Sequence, residues 1–200
     1  MHDNTLLLFR KYALKYFQPS CAVLEIGPEQ PSSTFRASVD PTFFSKWDTL
    51  DIVGGEYGNG TPNVTFVTND PHRFPVASEG YDIVLSGNVL EHVPRPWLWI
   101  KEVARICRPG GVVITIVPVS YPYHEAPIDC WRVYPEGMNA LCEEAGLTLV
   151  FCKFESLEWP GYHRYIPGSS VKGNGVAWKL LGRFGFPVRR AYDTIAIARR

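Results

Sequence analysis

The stretch Tyr81–Pro118, YDIVLSGNVLEHVPRPWLWIKEVARICRPGGVVITIVP, decides the fold. It opens on YDIVLSG (81–87), an apolar run that predicts a buried strand. Trp97, Ile100, Val103, Ala104 and Cys107 then recur at helical intervals, so residues 94–107 predict a helix opened by Pro94 or Pro96. Arg108-Pro109-Gly110-Gly111 predicts its close, with glycine just past the end. The next run, VVITIVPV (112–119), is β-branched and continuously apolar, as strands covered on both faces are. Strand, helix and strand in this order form a βαβ unit, which predicts parallel pairing.

The pattern continues on both sides. Upstream, CAVLEIG (21–27), WDTLDI (47–52) and NVTFVT (63–68) predict three more strands. Residues 3–17 predict an amphipathic helix stopped by Gln18-Pro19, and Pro28, Pro31 and Pro41 leave room only for short helices over 28–46. Downstream, residues 135–145 predict a helix ended by Gly146. LTLVFCKF (147–154) and YDTIAIA (192–198) predict the last strands. Residues 155–190 are rich in glycine, proline, aromatic and basic residues, with a helix expected near 176–183. The expected organisation is one domain over 1–200: an N-terminal helix (1–19), a ligand-binding core (20–154), an insertion or cap (155–190) and a final strand (191–200).

Composition narrows the function classes. The 200 residues carry 20 Lys+Arg against 20 Asp+Glu, with 46% hydrophobic and 20% charged residues, a globular balance that excludes a disordered tail or a fibrous rod. A formal net charge of zero argues against a protein built to grip phosphate backbones. No apolar run reaches the roughly 18–20 residues that span a bilayer. Leu6–Phe9 is too short for a signal-peptide core, so a cytoplasmic setting is expected. The five cysteines, Cys21, Cys107, Cys130, Cys142 and Cys152, are odd in number and form no CxxC pair. That argues for reduced thiols and against a zinc site or a disulfide framework.

In a doubly wound sheet, ligands bind beyond the carboxyl ends of the strands. The residues there are Glu25 and Gly27, Asp51, Asn69 and Asp70, then Asn88, Glu91 and His92, then 118–124. Glycine at 27 lets backbone approach a ligand with no side chain in the way. A carboxylate at 51 can accept both hydroxyls of a ribose, which serves any adenosine. The missing G-x-G-x-x-G counts against a nicotinamide enzyme. His124, Asp129, Trp131 and Arg132 share a proline-constrained loop after the fifth strand. Histidine is the side chain best matched to taking a proton near pH 7, so His124 is the first base candidate and His92 the second. Asp129 would orient His124 or bind sugar hydroxyls, and Trp131 would offer a flat apolar face. No metal-ligand spacing is evident, so no metal is expected.

The stretch from Asn69 to Pro118, with LEH at 90–92 and PGG at 109–111, closely resembles the core of Rossmann-like S-adenosylmethionine-dependent methyltransferases of the type 11 pattern. The resemblance covers roughly 21–154. It implies an α/β fold with a seven-stranded, mostly parallel sheet, helices on both faces and the last strand antiparallel. It also implies S-adenosylmethionine as cofactor and S-adenosylhomocysteine as product. On this resemblance VLEIG (23–27), with Glu25 and Gly27, lies under the methionine part, and Asp51 with Ile52 beside it holds the ribose. Asp70, next to Asn69, matches the acidic residue that contacts the adenine amino group, with Pro71 and His72 beside the ring, and Asn88 to His92, Glu91 included, lie along the methionine end and the reaction centre. The family's G-x-G-x-G is not kept, since Glu29 and Pro31 occupy the second and third glycine positions. YPYHEAPIDCWRVYPEGMNALCEEAGL (121–147) resembles a narrower bacterial group linked to glycan or surface-polymer synthesis. That implies O-methylation of a sugar, glycan precursor or other small molecule, and the neutral total charge argues against nucleic acid as the acceptor. The alternative is a methyltransferase-fold protein that has lost turnover and acts by binding.

Overall fold

The computed structural model describes residues 3–29, 33–52, 64–125, 128–158, 184 and 191–200. Seven strands build one sheet: β1 (Cys21–Ile26), β2 (Phe44–Ile52), β3 (Phe66–Thr68), β4 (Tyr81–Gly87), β5 (Cys107–Pro118), β6 (Thr148–Glu155) and β7 (Asp193–Arg199). Their order is β3-β2-β1-β4-β5-β7-β6. β1 pairs in parallel with both β2 and β4, and β4 pairs in parallel with β5. β7 runs antiparallel to both of its neighbours, β5 and β6. This is the expected mostly parallel Rossmann-like sheet with its last strand reversed.

Period-two alternation distributes the apolar side chains over two faces. Leu24, Ile26, Val84, Val113, Val117, Ala196 and Ala198 join one core. It is covered by α2 (Pro96–Ile106) and α3 (Pro135–Glu144), whose Trp99, Ile100, Val103, Met138 and Cys142 are buried in it. Val23, Ile83, Leu85, Ile114, Ile116, Ile195 and Ile197 join the other core, under the N-terminal helical run. Each central strand is thus largely apolar on both sides because both of its faces are covered.

Three local expectations need correction. The helix ends at Ile106, and Cys107 is already extended, with φ −67° and ψ 134°. Tyr81 pairs with Cys107 and Ile83 with Val112, so Arg108–Gly111 bulge out of β5 rather than cap the helix. Gly110, at φ +78°, supplies the left-handed residue that the bulge needs. The N-terminal run is not one α-helix. α1 (Asp3–Leu8) passes into a π turn (Phe9–Ala13) and a 3₁₀ turn (Leu14–Tyr16). Phe9, Ala13 and Phe17 are buried at every fourth position, wider than the 3.6 residues of a regular turn, and wider winding keeps Phe9 and Ala13 on the sheet. The third strand begins at Phe66, later than read from the sequence. Among the described residues between β1 and β2, the helical turns Arg36–Ser38 and Pro41–Phe43 are short, as expected. The helix expected near 176–183 lies outside the described residues.

A buried polar cluster staples the N-terminal run to the sheet. Asn4 donates from Nδ2 to the Glu155 carbonyl and to Asp193 Oδ2, each at 3.0 Å, and accepts from the Leu157 amide at 2.7 Å. Thr5 Oγ1 lies 2.9 Å from Asn88 Oδ1 and 3.2 Å from Asp193 Oδ2. Asn4, Thr5 and Asp193 are fully buried, and burial pushes the Asp193 carboxyl up to about 8. Leaving a buried polar group unpaired costs about 1–3 kcal/mol. Asn4→Ala therefore lowers the unfolding free energy by about 2–4 kcal/mol, read by urea denaturation. An unchanged midpoint would mean that apolar packing alone fixes this segment.

Candidate functional site

The parallel order reverses direction between β1 and β4, and a cavity of about 310 Å³ opens there, within the size range of small-molecule sites. Gly27 sits in its wall at φ +67°. A Cβ on Gly27 would lie 2.3 Å from Val89 Cγ2, so the loop after β1 and the loop after β4 touch only because residue 27 is glycine. The Gly27 amide donates to the Leu50 carbonyl at 2.9 Å, which ties this loop to the end of β2.

Six of the residues expected at the site line the cavity: Gly27, Asp51, Ile52, Pro71, Asn88 and His92. Asp51 is half-buried. Its Oδ1 accepts the Ile52 amide at 2.8 Å, and burial raises its pKa from the ordinary value. Asn88 holds a left-handed conformation at φ +56° without being glycine. Its amide donates to the Ile116 carbonyl at 2.9 Å, and its Oδ1 faces Thr5 Oγ1.

The other expected residues stand outside the lining. Glu25 shares the strand parity of Val23, so it points to the opposite face from Ile26. There it is 1% exposed and accepts the Trp47 indole N–H at 2.8 Å. Burial pushes its carboxyl up to about 7. Asp70 is exposed and folds back on its own loop, accepting the His72 amide at 2.8 Å. That hydrogen bond holds its carboxyl below the usual range. Asn69, beside it, is also exposed.

A second cluster lies beside the cavity. His92, in the turn Leu90–His92, has Nδ1 2.5 Å from the Ile128 carbonyl and Nε2 3.6 Å from Glu91 Oε1. Glu91 is fully buried, which pushes its carboxyl up to about 8. The His92 and His124 rings meet edge to face with centroids 5.0 Å apart. His124 is held by Asp129, whose Oδ2 accepts the His124 amide at 2.9 Å and lies 3.4 Å from its Nδ1. The Arg132 guanidinium grips both Asp129 oxygens, with Nη2 2.6 Å from Oδ2, and lowers that carboxyl to about 2. Asp129 thus orients His124, while its own charge is spent on Arg132. Trp131 donates from its indole to the Val93 carbonyl at 2.9 Å and packs edge-on to Trp97.

The sequence reading missed Thr68, Phe74, Val93, Trp99 and Ile128, which complete the cavity wall. Apart from Thr68 these are apolar, and Trp99 and Val93 carry the same signature as core residues. Thr68 Oγ1 accepts the Asp70 amide at 3.1 Å and lies 3.0 and 2.9 Å from the Asp70 and Arg73 carbonyls, which share its one hydrogen and shape the loop after β3.

Residues 49–115 match the protein family described as a methyltransferase domain. An uncharacterized methyltransferase of Mycobacteroides abscessus is 42% identical over 60 residues, which is 30% of this chain and 23% of that protein. One from Mycobacterium bovis is 46% identical over 67 residues, 34% of this chain and 26% of that protein. The matched stretch thus spans about a quarter of the length of these relatives. Among solved structures, a methyltransferase of Methanosarcina mazei superposes with a TM-score of 0.59 at 12% identity, covering 93% of this chain and 95% of the other. The phosphoethanolamine N-methyltransferase 2 of Haemonchus contortus, in complex with phosphomonomethylethanolamine and S-adenosylhomocysteine, gives 0.59 at 12% identity, covering 98% of this chain and 52% of that one. The cyclase SpnF also gives 0.59, at 15% identity, covering 98% and 80%. Residues 49–115 are thus similar to a methyltransferase domain, and the fold of the described residues is like that of these solved structures.

Glu25 yields a prediction in which the sign of the pH effect is fixed. Its folded pKa of about 7 lies above the ordinary value, so the folded state holds the proton more tightly. Stability is therefore lost as pH rises from about 4 to about 7. Glu25→Gln keeps an acceptor for Trp47 and removes the ionisation. At pH 8 it is more stable than wild type by on the order of 3 kcal/mol, and the difference closes near pH 4–5. Denaturant unfolding at the two pH values tests this. A difference that does not vary with pH would refute it.

Proposed function

We propose that this chain is an S-adenosylmethionine-dependent methyltransferase, acting on an oxygen of a sugar, glycan precursor or other small molecule. The observation that carries the reading is the cavity at the β1–β4 switch point, with the Gly27 cradle on one side and the desolvated Asp51 carboxylate on the other. S-adenosylmethionine, when bound, would supply an electrophilic methyl on a sulfonium. The chain's residues have separate tasks. Asp51 would accept the ribose hydroxyls. Ile52, Pro71 and Phe74 give the apolar walls that a purine needs, and all three line the cavity. Gly27 would let backbone N–H groups approach the amino-acid end. His92, which lines the cavity, or His124 packed against it, would take the acceptor proton as the oxygen attacks. Such proton transfer contributes about 10²–10⁴-fold, and alignment contributes more.

The altered glycine loop does not stand against this reading. Glu29 turns its carboxylate onto the Thr34 hydroxyl and is absent from the cavity lining, where Pro28 lies instead. A small acceptor rather than nucleic acid accords with the neutral charge. The cysteines form no disulfide, and no described helix is long and apolar enough to cross a membrane. A cytoplasmic setting belongs to the same proposal.

Calorimetric titration of S-adenosylhomocysteine into the full chain tests the reading. Binding in the micromolar range is expected for wild type. Asp51→Ala weakens it by roughly 10-fold or more, about 1.4 kcal/mol. Gly27→Ala weakens it further, because the new Cβ must displace Val89 and strain a left-handed backbone. No binding by a folded wild-type protein would overturn the proposal in favour of a methyltransferase-fold protein that has lost turnover.

A further inference from the structure

We propose that Glu91, His92 and His124 form a binding site for one divalent cation of the zinc or manganese type, beside the cavity. One ligand atom from each of the three lies within 4.8 Å of the others. Two come from the turn after β4 and one from the loop after β5, so the sheet assembles a set that no local spacing in the sequence displays.

The protonation pattern points to a cation. A backbone carbonyl can only accept, so His92 Nδ1, 2.5 Å from the Ile128 carbonyl, carries the ring hydrogen. In the neutral ring, Nε2 then presents a lone pair, and it faces Glu91 Oε1 at 3.6 Å. With the ring neutral and Glu91 ionised, two electron-rich atoms face each other across a gap too long for a good hydrogen bond. It matches the edge of a tetrahedral coordination shell, about 3.4 Å for ligand distances near 2.1 Å. Glu91 is fully buried, and neither of its carboxylate oxygens has a hydrogen-bond partner among the described residues. An unpaired buried carboxylate is costly unless something positive meets it.

The surroundings are those of metal-binding histidines, whose second nitrogen is usually held by a carbonyl or carboxylate. His92 has the Ile128 carbonyl. His124 has the Pro122 carbonyl at 3.2 Å from Nδ1 and Asp129 Oδ2 at 3.4 Å, which leaves its Nε2 as the remaining ligand atom. Two imidazoles and one carboxylate suit zinc, manganese or ferrous iron better than magnesium or calcium. Three protein ligands leave at least one position open. His92 also lines the cavity, so the open position adjoins the proposed methyl-transfer site. An acceptor hydroxyl bound there would be acidified by the cation, which would take over the task given above to an imidazole base. That use rests on the methyltransferase reading, whereas the cation site itself does not.

The test is calorimetric titration of Zn²⁺ into chelator-treated full-length protein, with Co²⁺ visible absorption as a second readout. One equivalent is expected to bind, with ligand-field bands of a low-symmetry nitrogen and oxygen site. Glu91→Gln and His124→Ala should each weaken binding by roughly 10-fold or more, and His124→Ala changes a partly exposed side chain that the fold does not need. His72→Ala, on the loop after β3, should leave it unchanged. No stoichiometric binding, or binding that survives both variants, would overturn the site. Parallel S-adenosylhomocysteine titrations keep the two readings apart. Cofactor binding without metal binding removes the cation site alone, and metal binding without cofactor binding removes the methyl-transfer role alone.

Discussion

The structure depends on how closely two loops approach at the switch point of the sheet. β1 and β4 are neighbours, and their following loops must diverge to either side. The crevice between them exists because the chain leaves β1 in a left-handed turn at Gly27 that packs directly on Val89. Any side chain at 27 would wedge the loops apart. The width of the cavity, and the reach of Asp51 and Asn88 into it, follow from that one contact.

The second loop is held under mild strain. Asn88 has φ +56°, a conformation that costs non-glycine residues energy but is most tolerable for Asn and Asp. It is kept there by the Ile116 carbonyl and by Thr5. Thr5 belongs to the N-terminal run, which is itself pinned through Asn4 to Glu155, Leu157 and Asp193. One chain of buried polar contacts therefore links the first helix, the ends of β6 and β7, and the floor of the cavity. Such a network specifies a single arrangement only because its members pair with one another.

The fold was legible because burial on both faces writes itself as unbroken apolar runs. Tyr81–Gly87 matches its predicted strand residue for residue, and β1 and β7 are read to within one or two. The misreadings occur where one sequence signal serves two structures. Gly110-Gly111 fits a helix cap as well as a strand bulge, and the long β5 pairing decides for the bulge. Asp70 reads as a ligand contact, yet Asp-Pro-His satisfies its carboxylate locally on the His72 amide, a competition common to short polar side chains. Glu25 is different, since strand parity alone already sends it away from Ile26 and the cavity. The apolar wall of the cavity was illegible for a physical reason: Trp99 and Val93 face a ligand space with the same chemistry that fills a core.

Burial is what a sequence conceals most thoroughly, and Glu91 shows the consequence. Its neighbour Asp129 is also a buried carboxylate side chain, but Arg132 grips both oxygens and its pKa falls to about 2. Glu91 receives no such clamp, and its pKa rises to about 8. Two acids in adjoining loops, alike in sequence, thus become a fixed anion and a group that demands a proton or a cation. The fixed anion sets the position of His124, and the demanding one faces His92. The same geometry would serve the proposed methyl transfer whether an imidazole takes the acceptor proton or a cation acidifies the hydroxyl first. In both cases the oxygen would be prepared beside the cavity that Gly27 and Asp51 line, and that adjacency is set by the parallel order of β1, β4 and β5.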